Sequence, residues 1–328
     1  MMGTAAIGHV GVLTSGGDSP GMNAAIRAVA RAASYHGIRA TGILGGYDGL
    51  VNDRVKALGP RDVSGIVQLG GTMLRSARSD AFRTPQGRRQ AMATMERHGM
   101  DALVVIGGDG SFTGAQVLHI EHGVRCVGIP GTIDNDLAGT DRTLGFDTAV
   151  NTAVQAIDRI RDTASSHDRL FFVEVMGRHS GQIALTCAVA AGAEYAMLPE
   201  RDQGIDELVK LLNDAARTRS SLIVGVAEGD EEGGAFSVAG KVKERTTGYD
   251  IRVSVLGHLL RGGAPTVADR LLAGRTGVAA VEHLLSGGQG EMVGICGDQV
   301  VFTPFTEALN GKKPIDPELY RVLGILSV

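Results

Sequence analysis

Cysteine is scarce in the 328-residue sequence, with three residues at positions 126, 187 and 296. They are too few and too far apart for a disulfide framework or a Cys-x-x-Cys metal site, and each reads as a small buried apolar residue. Proline is scarce too, at 9 residues, and the glycines follow no period, so collagen-like and linker compositions are excluded. No run of about 18 or more apolar residues is free of charge, so no membrane span is expected. A basic stretch followed by an apolar one is missing from the first residues, so no secretory signal is expected and a cytoplasmic setting fits. The net charge of −4 gives the chain as a whole no electrostatic reason to seek nucleic acid, although a local arginine cluster can still hold a small anion.

What the sequence has in excess is glycine, 48 residues, set in an ordinary globular composition of 43% apolar and 21% charged residues. Much of it stands where an apolar run ends, which suits tight strand-to-helix turns or close approach of the backbone to a ligand. The length accommodates two domains. Strands are expected at Val10–Thr14, Ala40–Leu44, Ala102–Gly107, Val124–Pro130, Leu170–Val175, Ser221–Ala227 and Ile251–Gly257. Helices are expected at Met22–Tyr35, from the GGDGSFTGA segment to about Glu121, and at Thr148–Thr163. This alternation predicts an α/β fold with mainly parallel sheets covered on both faces. A domain boundary is expected near Asp141–Gly145, with the chain crossing back after about Gly257.

Ligands of open α/β sheets bind at the carboxyl ends of strands. That rule selects five loops: Ser15–Gly21, Gly107–Ser111, Gly131–Asp136, Met176–Gly181 and His258–Gly263. In Gly107–Ser111, glycines let the backbone close on a phosphate at a helix start, and Asp109 can hold Mg²⁺. The same residues also suit an aspartate in a tight turn. No Lys-Ser/Thr follows, so this is no Walker A loop, and the spacing is not that of a dinucleotide fingerprint. The Ser15–Asp18 turn has the same layout, and its helix places Arg27 and Arg31 four apart on one face. Arg75, Arg78 and Arg83 form a second basic cluster, of a type suited to bidentate phosphate contacts or simply solvated. In Thr132–Asp136 the two carboxylates, Asp134 and Asp136, can divide labour in phosphoryl transfer, one as proton acceptor and one toward Mg²⁺, or form an Asx turn. Arg178 follows a strand and can face developing charge. His119 and His122 share a helix face with no third ligand near and read as solvated. Leu285–Gln289 reads as a helix C-terminus ending on glycine.

Taken together, LTSGGDSPGMNAAIR, GGTMLRSAR, IGGDGSFTGA, GIPGTIDNDLAGTD, AIDRIRDTASSH, VEVMGRHSG and VLGHLLRGG resemble the phosphofructokinase family in its bacterial ATP-dependent form. The segments keep that family's order over nearly the whole chain. The resemblance implies two doubly wound three-layer domains with the active site in a cleft: residues 1–144 with about 258–308 for ATP, and about 145–257 with 309–328 for fructose 6-phosphate. It implies Asp134 as the base for the sugar 1-hydroxyl, Asp109 and Asp136 toward Mg²⁺, and Thr132 and Arg178 on the transferring phosphoryl. Gly17, Arg78, Ser79, Gly108, Gly110 and Ser111 would line the ATP site, with Tyr47 near the adenine. Met176, Gly177, Glu228, His258 and Arg261 would bind fructose 6-phosphate, and Arg169 and Arg252 would reach its phosphate from a neighbouring subunit of a homotetramer. Arg27, Arg31, Arg54, Arg161 and Glu194 match the family's effector site.

Pyrophosphate-using relatives typically carry Asp where this chain has Gly110 and Lys where it has Gly131, so the resemblance favours ATP as donor. A non-catalytic, nucleotide-sensing subunit on the same fold would be expected to lack one of Asp109, Asp134 and Arg178, and all three are present. Two departures stand out. A basic patch near the effector site is here Arg219-Ser220-Ser221, which predicts weaker binding of an anionic effector. Arg75 replaces a family glycine.

Overall fold

The continuous apolar runs become strands buried on both faces. In the computed structural model, which describes residues 6–164, 169–201, 204–215, 221–246, 249–311 and 313–327, every residue of Ala102–Gly107 is buried. That is why this strand is uniformly apolar and not alternating. The chain divides into two compact units, Met1–Thr132 with Leu137–Asp147 and Arg261–Lys312, and Ile133–Asp136 with Thr148–Leu260 and Lys313–Val328. The crossing points lie a few residues beyond the expected ones. The short segment Ile133–Asp136, expected with the first unit, belongs to the second.

The first unit carries β1 (His9–Thr14), β2 (Arg39–Ile43), β3 (Val55–Ala57), β4 (Ala102–Gly107) and β5 (Arg125–Pro130). The second carries β6 (Arg169–Val175), β7 (Tyr195–Met197), β8 (Leu222–Ala227) and β9 (Asp250–Val255), and the first is completed by β10 (Glu291–Cys296) and β11 (Gln299–Pro304). The seven-stranded sheet runs β11-β10-β5-β4-β1-β2-β3, parallel except for β3 and β11 at its two edges. The helices of this unit are α1 (Met22–Tyr35), α2 (Gly46–Val51), α3 (Pro85–His98) and α4 (Asp109–His122). In the chain there follow α5 (Phe146–Ala164), α6 (Gln182–Ala190), α7 (Gly204–Ala215) and α8 (Gly234–Lys243), then α9 (Val267–Leu285), α10 (Phe305–Asn310) and α11 (Pro317–Leu326). One apolar core joins the sheet to α1 and α9, and another, on the opposite face, joins it to α2, α3, α4 and α10. The second unit has the all-parallel sheet β7-β8-β6-β9, with α7 and α8 on one face and α6 on β8 backed by α11.

The sheet order turns around between β1 and β4 in the first unit and between β6 and β9 in the second. Such switch points open a crevice at the carboxyl ends of the flanking strands. The five loops singled out from the sequence follow β1, β4, β5, β6 and β9, and all but the β5 loop leave strands that flank these switch points. The helix expected to end near Glu121 runs to His122. His119 is only part-exposed, its Nδ1 3.0 Å from the Val124 carbonyl, so it closes the helix end and is not simply solvated. No helix among the described residues is long and apolar enough to cross a membrane.

Candidate active site

The turns after β1 and β4 are locked together. The Ser15 amide donates to the Ile106 carbonyl at 3.0 Å. A Cβ at Gly107 would lie 2.3 Å from Ser111 Oγ and 2.5 Å from the Ser15 carbonyl, so only glycine fits there. Gly16 adopts φ +83°, and a Cβ on it would stand 3.5 Å from the same Ser111 hydroxyl. Ser111 is 3% exposed, yet its Oγ has no hydrogen-bond partner. A buried hydroxyl without a protein partner is uncommon. Here it lies in the first turn of α4, whose N-cap Gly108 has no side chain to satisfy the helix amides. A helix N-terminus, a glycine turn and a waiting hydroxyl converge on one place, which is chemistry suited to a phosphate. Thr132 faces this turn: a Cβ at Gly108 would lie 3.6 Å from its Cβ, and its carbonyl accepts from Thr143 Oγ1 at 2.6 Å.

Around this cradle the sequence-expected residues take distinct positions. Asp109 is exposed as the first residue of α4, and its Oδ1 accepts from the Gly110 amide at 2.7 Å. Gly110 faces open space, with nothing within 4 Å of a Cβ. Tyr47, expected beside the adenine, is buried and stacked on Phe82 with centroids 4.2 Å apart. Its hydroxyl donates to the Ser111 carbonyl at 2.6 Å, so it braces the first turn of α4. Burial holds its phenol well above the ordinary value, consistent with a fixed donor. Ser79 Oγ reaches Asp48 Oδ1 at 3.4 Å, while Arg78 is exposed. Arg261 belongs to this first unit and rests on the β1 turn: its Nη1 donates to the Asp18 carbonyl at 3.1 Å and occupies the space a Cβ on Gly17 would need. His258, three residues earlier on the same 3-10 turn, is exposed and belongs to the second unit.

In the second unit the loop after β6 is held in a strained shape. Gly177 has φ +150° and Arg178 φ +54°, a left-handed backbone rarely adopted by arginine. Glu228, at the end of β8, secures it: its Oε1 accepts from the Arg178 amide at 2.8 Å and the Gly177 amide at 3.3 Å. Gly229 presses against the Arg178 carbonyl so closely that any Cβ is excluded. Ser180 Oγ donates to the Asp134 carbonyl at 2.9 Å, which ties the Asp134 segment to this loop. Asp134 itself is 4% exposed, and the following Asn135 is left-handed at φ +51°. Met176 is buried, Arg178 exposed and Asp136 part-exposed. Sequence reasoning did not single out Ser180 or Gly229. Ser180 lay inside a noticed motif, but its partner is far away in sequence.

Arg169 and Arg252 stand at the other end of the same sheet. Arg169 opens β6 and Arg252 lies near the start of β9, and both reach Asp250 Oδ2, at 3.2 Å and 2.8 Å. These bonds hold the Asp250 carboxyl below its usual range, Arg252 contributing most. From Arg169 to Met176 the strand covers roughly 23 Å at about 3.3 Å per residue. The structure therefore does not bring these two arginines to the Met176–Arg178 loop of their own chain. Of the effector set, Arg54 pairs with Asp48, and Arg161 donates to the carbonyls of Ala191 and Gly192 at the end of α6. Glu194 is buried and accepts from the Ile223 amide at 2.6 Å. Arg27 is part-buried and Arg31 exposed on α1. Arg219 and Ser220 lie outside the described residues.

Among the described residues no group of three or more His, Cys, Asp or Glu is placed to hold a metal. Mg²⁺ binds through one or two carboxylates and takes its other ligands from phosphate and water. Exposed Asp109 beside open Gly110 fits that role.

The family profile for phosphofructokinase matches residues 9–284. ATP-dependent 6-phosphofructokinase 2 of Bacteroides thetaiotaomicron is 52% identical over 320 residues, covering 97% of this chain and 98% of that protein. ATP-dependent 6-phosphofructokinase 1 of Thermus thermophilus is 51% identical over 321 residues, covering 98% and 99%. The crystal structure of Pichia pastoris phosphofructokinase in the T-state superposes with a TM-score of 0.87 at 38% identity. That match covers 93% of this chain but only 36% of the longer yeast chain. Matched by the family profile over residues 9–284 and about half identical to curated members along nearly its whole length, the chain belongs to the phosphofructokinase family.

Proposed function

We propose that this protein is an ATP-dependent 6-phosphofructokinase, transferring the γ-phosphoryl of ATP to the 1-hydroxyl of fructose 6-phosphate in the cytoplasm. One observation carries the reading: a chain about half identical to proteins of that name keeps a buried, unpartnered Ser111 hydroxyl in a glycine-lined helix start. The phosphates of ATP lie over Gly17 and Gly108–Ser111, flanked by Arg78 and Ser79, with Tyr47 acting through the Ser111 backbone. Asp109, with Asp136, would hold Mg²⁺, which when bound would neutralise charge on the donor phosphates.

Thr132 hydrogen-bonds the transferring group, and Asp134 accepts the proton of the sugar hydroxyl as that oxygen attacks. The two stand two residues apart, at most about 7 Å along the chain. Arg178 meets the charge on the moving phosphoryl, held for it by Glu228 and the Gly177 turn. Catalysis is positioning plus electrostatics, without a covalent intermediate. Met176, Gly177, Glu228, His258 and Arg261 recognise the sugar phosphate. Arg169 and Arg252, remote from their own Met176 loop, serve the sugar 6-phosphate of a second copy, which requires a homo-oligomer, by family likeness a tetramer. Arg27, Arg31, Arg54, Arg161 and Glu194 form the effector site; with Arg54 and Arg161 engaged internally, it binds anions weakly.

Pyrophosphate is the competing donor. A Lys at Gly131 would start from a Cβ only 3.1 Å from Ile106 and 3.2 Å from Met22, so the packing opposes the residue that donor favours. Steady-state assays with fructose 6-phosphate, Mg²⁺ and either ATP or pyrophosphate test the reading. Turnover with ATP alone is expected. Turnover with pyrophosphate alone, or with neither, would overturn it.

A further inference from the structure

A second carboxylate, besides Glu228, holds the loop that carries Arg178. The Gly181 amide donates to both oxygens of Glu200, at 2.8 Å to Oε1 and 3.1 Å to Oε2. Gly181 is the N-cap of α6 and brings no side chain to it. The fit is close: a Cβ on Gly181 would lie 2.7 Å from Glu200 Oε2 and 2.8 Å from Cδ2 of buried Leu198. A carboxylate is electrostatically favoured at a helix start, where the helix dipole places partial positive charge. The same contact fixes the backbone next to Ser180.

Ser180 is buried, and its Oγ donates to the Asp134 carbonyl at 2.9 Å and accepts from the Gln182 amide at 3.4 Å. Its own amide donates to the Gly177 carbonyl at 2.8 Å, closing the turn over Arg178. The Gly181 carbonyl accepts from the Leu185 amide at 2.8 Å, so the helix begins at once. Backbone bonds on both sides therefore place the Ser180 hydroxyl, and that hydroxyl places the backbone of Asp134. The strand order accounts for the two carboxylates. The Gly177–Gly181 loop leaves β6, and across the sheet from β6 stand β8 and then β7. Glu228 directly follows β8, and Glu200 lies in the segment after β7. The loop is thus held at its Gly177 end from the nearer strand and at its Gly181 end from the farther one. Every residue of this arrangement belongs to the second unit.

We propose that Glu200 is a positioning residue for the transfer step: by holding the Gly181 amide it fixes Ser180, and through the Ser180 hydroxyl it fixes Asp134. A shift of about 1 Å in a reacting group can cost on the order of 10²-fold in rate, so a loop tied down at one end only would be a poor support for a base. The inference deepens the proposed function and rests on its reading of Asp134 as the group that takes the sugar proton.

The test measures kcat, the KM of each substrate and thermal melting for wild type, Glu200→Ala, Glu200→Gln, Ser180→Ala and the Glu200→Ala/Ser180→Ala double variant. Glu200→Ala should lower kcat about tenfold, the loss of a hydrogen bond to a charged acceptor, with the KM for ATP within about twofold of wild type. Glu200→Gln keeps an acceptor oxygen for the Gly181 amide and should recover most of the rate. Ser180→Ala should lower kcat about three- to tenfold. The double variant should fall within about twofold of the slower single variant, because the two residues act in series. If Glu200→Ala does not fold, Glu200→Asp takes its place with the same expected loss, since its carboxylate is one methylene short of the Gly181 amide. A kcat within about twofold of wild type in Glu200→Ala or in Ser180→Ala overturns the proposal, and so does a double variant in which the two losses multiply. Wild-type protein without ATP-dependent transfer to fructose 6-phosphate overturns the functional reading itself, so the wild-type assay tells the two failures apart.

Discussion

Gly110 is the second residue of α4, its backbone is not left-handed, and a Cβ there meets nothing within 4 Å, so Gly110→Asp fits the fold without displacing an atom. Folding should be indifferent or slightly improved. An acidic side chain in a first helical turn gains about 0.3–1 kcal/mol from the helix dipole, offset by repulsion from Asp109 next to it. Donor binding should suffer. A carboxylate at about 5 Å from a phosphate charge costs roughly 3 kcal/mol at an effective dielectric near 20, and less where solvent screens it. A penalty of about 1.4–3 kcal/mol corresponds to a KM for ATP raised about 10- to 100-fold. Initial rates over a range of ATP, with a thermal melt of the same sample, measure both effects. A KM for ATP within threefold of wild type, in a protein with an unchanged melting temperature, would refute the placement of the donor phosphates over Gly110.

Gly107→Ala should lower stability by about 1–3 kcal/mol in urea denaturation, because one of the atoms its Cβ meets is the Ser15 backbone carbonyl, which cannot rotate away. Glu228→Ala leaves the Gly177 and Arg178 amides without their acceptor, and the strained loop should relax. A kcat at least tenfold lower with an unchanged KM for ATP is expected, Glu228→Gln keeping part of the activity. Burial pushes the Cys187 thiol up to about 12 and the Cys126 thiol higher still. Both are raised above the ordinary value, so neither is a thiolate at pH 8. A disulfide reagent at that pH should therefore modify only part-exposed Cys296 in the native protein, and all three thiols once it is unfolded in denaturant.

Where pattern and packing agree, the sequence was read closely. The helix Met22–Tyr35 and the strand Ala102–Gly107 have the bounds their apolar periodicity predicts, since each is buried by its own sequence pattern. The hairpin of β10 and β11 was missed, although its two-residue turn, Gly297-Asp298, is left-handed at both positions, as a tight hairpin requires. The short flanking strands alone do not announce themselves. In the site, the glycine turn at Gly107 was legible, because the close approach of the Ser15 carbonyl there admits no side chain. The backbone contacts of Tyr47 and Glu228 were not, because both reach loops distant in sequence. Arg75 was noticed as a departure, but its left-handed backbone is visible only in three dimensions.

The most direct test of the central claim is Asp134→Ala, assayed for single-turnover phosphoryl transfer to fructose 6-phosphate and for ATP binding in parallel. Loss of a positioned general base should lower the transfer rate about 10²- to 10⁴-fold while ATP affinity stays within twofold. A transfer rate within a few-fold of wild type would contradict the assignment of Asp134 as the group that takes the sugar proton.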